Sequence, residues 1–167
     1  IVGSDASSWI FLAANDVVSS IRNNDPDEVM EKKVNTLLQL NEKAGDLQRL
    51  TSNYAFIVVA LNYLKKNRYQ EAQDYMERGV NGMRKILDFN PAMSAIYQGM
   101  LALVYQMNGN PERALSVINA TLQEARQMKE TNPQSFVQLL SFRVDIQTGL
   151  NQAAETTADA NDVTRML

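Results

Sequence analysis

Few residues of this chain could take part in chemistry, and the two most versatile catalytic side chains are missing. There is no histidine and no cysteine. Disulfides and thiolate or imidazole metal sites are therefore excluded, and no hydroxyl nucleophile can be activated by a His or Cys partner. Paired carboxylates could serve general acid–base catalysis, and the candidates are Glu28, Glu31, Asp74, Glu77, Glu112 and Glu124. All six fall at polar positions of segments with helical periodicity, which is where a solvated face places its charges. No Gly-rich phosphate loop occurs. The most basic run, Lys65-Lys66-Asn67-Arg68, reads as cations at a helix C-terminus. The competing reading, a nucleic-acid or phosphate patch, has against it a net charge of −3 and an isoelectric point near 5.0. Asn119-Ala120-Thr121 fits the glycosylation triplet but lies inside a predicted helix. The sequence thus predicts a non-catalytic protein with no cofactor, no metal and no nucleic-acid partner.

The chain has 167 residues, one domain's worth, with 45% apolar and 21% charged residues. Such a composition can bury a core and argues against disorder. The longest uninterrupted apolar run, Ala55 to Leu61, is too short to span a bilayer, so no membrane insertion is expected. The chain begins at Ile1 and not at Met, which predicts a processed form or a domain cut from a larger protein, and no signal peptide is visible. A soluble protein is expected. Cytoplasmic placement is the first choice, and the lack of cysteine is equally compatible with periplasm or secretion.

Elements that would position these residues are announced by punctuation. Each of the four prolines follows Asn or Asp: Asp25-Pro26, Asn90-Pro91, Asn110-Pro111 and Asn132-Pro133. An Asn or Asp side chain accepts a free N–H of a helix's first turn, and Pro fits the first helical position, so each dipeptide reads as a helix start. Helices are predicted over 5–23, 26–43, 46–66, 69–89, 91–108, 111–131 and 133–149. Turn signals separate them at Asn23-Asn24-Asp25, Lys43-Ala44-Gly45, Asn67-Arg68 and Asn108-Gly109-Asn110. Spacings of three and four residues define a buried stripe on 111–131 (Ala114, Ile118, Thr121, Leu122, Ala125, Met128) and another on 26–43 (Met30, Val34, Leu37, Leu38). Strand alternation is sustained nowhere. The tail 151–167 is polar before its last five residues, and reads as a capping helix or a partly ordered end. The expected domain is 1–150.

Two of the Asn-Pro pairs lie 42 residues apart, and a shift of 42 also aligns Ala60 with Ala102, Leu61 with Leu103, Tyr63 with Tyr105, Ala72 with Ala114 and Arg84 with Arg126. Internal repetition of this length indicates stacked helix pairs. The residues Val59-Ala60-x2-Tyr63, Ala72-x3-Met76 and Pro91, and again Leu101-Ala102-x2-Tyr105, Ala114-x3-Ile118 and Pro133, resemble the tetratricopeptide repeat. Its Trp position is taken by Phe56 and Gln98. The period is about eight residues longer than the family's, roughly two turns of helix, and is similar to the lengthened repeats of kinesin light chains and of the sensor region in the maltose-regulator family. The resemblance covers about 54–133 well and 5–43 weakly. It implies an all-α, helical-hairpin α-solenoid of about three helix pairs plus a further helix. Small residues at Ala60, Ala72, Ala102 and Ala114 would let helices approach, and Tyr63 and Tyr105 would fill the space between pairs. Gly79 and Gly82, each costing roughly 1 kcal/mol in an isolated helix, would serve close helix contact or a local kink.

The resemblance also implies where a partner would bind. Carrying over the family's inner-face positions selects Tyr54, Ile57, Leu61, Leu64 and Lys65 from one repeat, and Ile96, Gly99, Leu103, Gln106 and Met107 from the next. Chaperone-binding members place Lys and Asn there to clamp a carboxylate; Ile57 and Leu61 replace such groups here. An apolar groove of this kind suits a partner helix or an extended apolar segment, and the alternative is that these residues pack internally. The expected function is a protein-interaction module. The alternative is a regulatory sensor or self-assembly domain of a larger signalling protein or transcription activator, which admits a homo-oligomer.

Overall fold

Among the described residues, positive φ occurs at Asn24 (53°), Asn67 (57°) and Gly109 (77°), each just past the end of a helix. Asn and Gly tolerate this left-handed conformation best. In each case the next residue's N–H reaches back over five residues: Asp25 to the Ser20 carbonyl at 3.0 Å, Arg68 to Tyr63 at 3.0 Å and Asn110 to Tyr105 at 2.8 Å. This is the Schellman closure that satisfies orphan carbonyls. The last two closures stand 42 residues apart in the chain. Their tyrosines each lie under a guanidinium, Arg68 at 4.5 Å and Arg113 at 4.2 Å from the ring centroid. The sequence repeat is therefore also a repeat of local structure.

The computed structural model describes residues 3–86, 91–126 and 132–150, together with 161 and 163–165. It is all-α: α1 (Gly3–Arg22), α2 (Asp27–Glu42), α3 (Asp46–Lys65), α4 (Tyr69–Ile86), α5 (Pro91–Met107), α6 (Pro111–Ala125) and α7 (Pro133–Gly149), with no strand among the described residues. The boundaries follow the punctuation. Asn132 caps α7, its Oδ1 accepting from the Ser135 N–H at 3.3 Å, and Asn110 holds the same position before α6. Asp25 departs from the expectation. Pro26 occupies the cap position of α2, and the Asp25 carboxylate instead accepts from Ser20 Oγ at 2.7 Å and Lys33 Nζ at 3.1 Å, tying the end of α1 to α2. At α3, Gln48 Oε1 accepts from the Gly45 N–H at 2.7 Å, which quiets one free donor of the first turn. The helix expected over 111–131 is described as far as Ala125, so Met128 lies outside the described residues, as do Asn90 and most of the tail 151–167. Asn161 and Val163 to Arg165 are helical.

The chain divides into two compact units, residues 1–86 and 87–167, so the break in compactness falls inside the range expected to form one domain. In the first unit α1 packs on α2 and α3, and α3 packs on α4. In the second α5 packs on α6 and α7, and α6 on α7. Each helix touches near neighbours in the chain, the rule for stacked helix pairs. Val17, Met30, Val34, Leu37, Phe56, Tyr63 and Met76 are the heart of the first core, and Leu101, Val104, Ile118, Leu139 and Ile146 that of the second. The small residues Ala60, Ala72, Ala102 and Ala114 are fully buried. Gly79 is explained by close approach, since a Cβ there would stand 2.7 Å from both the Asn53 carbonyl and Ile57 Cγ1 on α3. Helix α4 runs through Gly79 and Gly82 without a break.

Candidate partner-binding faces

Helix α3 is buried over an arc from Ala55 through Phe56 to Ile57, and the opposite side carries Tyr54, Val58, Leu61 and Lys65 at spacings of four, three and four. Residues so spaced share one face. Tyr54 is 51% exposed and Leu61 36% exposed, Val58 is half-buried and Lys65 is exposed. Ile57 does not belong to this face. It is only 2% exposed, because it points toward α4 and fills the space that Gly79 leaves. Its expected place in an open groove is therefore corrected: three residues after Tyr54 and four before Leu61, it stands at the edge of their row, about 40–60° round the helix, and α4 claims that edge. Leu64 is half-buried.

On α5 the stripe is Met93, Ile96, Met100, Leu103 and Met107. Met93 and Met107 are exposed, the latter by 48%, and the other three are half-buried. Gly99 lies off the stripe, against α7, where the Phe142 ring would stand 2.4 Å from an added Cβ. Gln106 also turns toward α7, its Nε2 reaching the Asp145 carbonyl at 3.4 Å and that of Ile146 at 3.5 Å. It is thus engaged in packing. Val58, Met93 and Met100 were missed as candidates, although the spacing of three and four that links them to Tyr54 and Ile96 is visible in the sequence.

Several of the polar residues have structural partners. Tyr63 Oη donates to Glu31 at 2.9 Å and its ring stacks on Tyr75 at 5.7 Å between centroids, so one side chain of α3 spans α2 and α4. Burial, and then the bond to Glu31, push the Tyr63 phenol up from its ordinary range; burial also raises that of Tyr75. The basic run is largely consumed: Lys66 pairs with Asp27, and Arg68 reaches Asp27 at 2.8 Å and Glu71 at 2.6 Å. The bond from Lys66, with Arg68 beside it, holds Asp27 below the usual carboxylate range. Glu71 is held low by its own backbone N–H and by Arg68. Glu31 therefore ties α2 to α3, and Glu71 closes a local pair at the start of α4. Among the described residues no group of three His, Cys, Asp or Glu could hold a metal ion, and no helix is long and apolar enough to cross a membrane. Asn119 and Thr121 lie within α6, where Thr121 Oγ1 donates to the Val117 carbonyl at 2.8 Å.

The sequence matches no protein-family model, and a search of curated proteins finds no match.

Proposed function

We propose that this chain is a tetratricopeptide-like, non-catalytic interaction module that takes an apolar or amphipathic protein segment on the exposed stripes of its first-of-pair helices. The observation that carries this reading is the run of exposed Tyr54, half-buried Val58 and exposed Leu61, an apolar row that ends at the exposed Lys65 on a helix whose opposite side is buried. Exposed apolar rows rimmed by polar residues mark interaction surfaces, and a partner helix reads such a row through its own spacing of three and four. The α5 stripe offers the same chemistry with three methionines, whose flexible thioethers adapt to varied partner shapes. The closures repeated at 42 residues support the family reading.

The test is selection of peptides from a displayed library on the parent protein, with Tyr54→Glu/Leu61→Glu as the counter-selection. Both positions are at the surface, so this variant should melt like the parent. Enriched peptides should carry apolar residues at spacings of three and four, bind with weak dependence on salt, and lose binding to the variant. Peptides that bind both proteins equally would refute the stripe as the site. Ile57→Glu is the contrast: an unpaired charge placed in the core should unfold the unit.

A second reading, self-assembly within a larger signalling protein, is favoured by α1. Trp9, Phe11 and Leu12 are all exposed there, Trp9 by 61%. Trp9 is the chain's single tryptophan, so its emission reports directly on whether that helix becomes covered. Association through α1 predicts a blue shift with rising concentration, in step with a rise in sedimentation coefficient. Emission that stays constant while mass rises would place the self-contact elsewhere.

A further inference from the structure

Between the end of α2, the start of α3 and the end of α4 lies a cleft of about 300 Å³, lined by Asn41, Arg49, Asn53, Arg78, Asn81 and Gly82 with Asp46 at its rim. Small-ligand sites begin at about this size. Its floor holds an unusual group. Asn53 is 3% exposed, and its Nδ2 finds no hydrogen-bond partner among the described residues. Buried amide donors are almost always paired. The amide lies directly over Gly82, where any Cβ would come within 2.4 Å of both Nδ2 and Oδ1. A glycine in mid-helix, unfavourable in itself, thus makes room for a polar group that the fold leaves unmatched.

Ile86 adds one apolar side chain to the lining, and Asn41, Arg49, Arg78 and Asn81 are polar. Ser52 Oγ donates to Asn41 Oδ1, so the remaining edge of that amide is its NH2 donor. Arg49 and Arg78 bring two guanidinium groups, forked donors whose geometry matches a planar oxyanion. Arg49 is only loosely engaged by Asp46, at 3.9 Å. Two arginines against one aspartate leave the lining with one formal positive charge. That balance fits a singly charged group, whereas a phosphate dianion would meet the Asp46 carboxylate. The cleft is separate from the open stripe of α3, since Asn53 belongs to the buried arc of that helix.

We propose that this cleft binds a carboxylate, either of a small molecule or at the end of a chain, with Asn53 Nδ2 as the buried donor and Arg49 and Arg78 as the charged clamp. The experiment is a nitrogen-15 NMR titration of the full chain at constant ionic strength, with acetate, with inorganic phosphate, and with one short peptide in its free-acid and C-terminally amidated forms. Saturable shifts at the Asn53 side-chain amide, Asn81 and Gly82 are expected with acetate, with the free-acid peptide, or with both. Acetate alone identifies a small-molecule carboxylate, and the peptide acid alone identifies a chain end. Arg49→Gln/Arg78→Gln should weaken that binding by about tenfold or more with the thermal melt unchanged. If the double variant does not fold, Arg49→Gln, at the surface, carries the same comparison. The proposal is overturned if no probe gives saturable shifts at these residues, if phosphate or the amidated peptide binds as tightly as the carboxylates, or if the folded variant binds like the parent.

Discussion

Gly79 shows how one missing side chain sets a helix pair. Alanine there would gain about 1 kcal/mol of helix propensity. Its Cβ would also meet the Asn53 backbone carbonyl at 2.7 Å, and a main-chain atom cannot swing aside as a side-chain tip can. Overpacking typically costs about 1–3 kcal/mol, so Gly79→Ala should lower the denaturation midpoint despite the better propensity. A midpoint equal to or above the parent's would show that α3 and α4 have room to separate. Ala102 and Ala114 are fully buried where α5 and its neighbours meet. Leucine at either should cost a similar amount in urea unfolding, and unchanged midpoints for both would place these residues outside the close contacts.

At the scale of elements, carboxylates tie helices together. Asp27, at the start of α2, takes Lys66 and Arg68 from the turn between α3 and α4, and its pKa is held below 3.8 by those cations. A carboxylate whose pKa is lower folded than unfolded stabilises the fold above the unfolded value. That contribution fades as pH falls through the folded value. Parent and Asp27→Asn should therefore differ most near neutrality and converge as pH falls below 3.8. The side chains are partly open to water, so the difference at pH 7 should stay below about 1 kcal/mol and shrink with added salt. Thermal melts across pH give the test: a gap that widens in acid would mean that Asp27 is not the group that titrates.

At the scale of the molecule, residues 1–86 have their own buried core and their own ties between helices. Alone, this stretch should fold cooperatively, with helical circular dichroism and a single urea transition. A gradual transition would show that its helices need the rest of the chain. The packed helices lie one or two places apart in the chain, and such local topology favours fast folding.

Among the described residues, the helical kind of the elements and most of their starts follow from the sequence alone. Asn-Pro starts, Asn and Gly stops and apolar spacing act over a few residues, and local backbone chemistry is enough to set them. The buried stripe of α6 was legible for the same reason: Ala114, Ile118, Thr121, Leu122 and Ala125 are all buried. The exact face each helix shows to water was not. Ile57, Tyr54 and Leu61 are alike in apolar character, and only the arrival of α4, with Gly79 opposite Ile57, sends one inside and leaves two outside. Asp25 reads as a cap until folding brings Lys33 and Ser20 within reach of its carboxylate. The cleft over Asn53 draws on three helices, so no spacing within one of them could announce it. Periodicity decides that a side chain lies on a face, and the packing of neighbouring helices decides whether that face is wet.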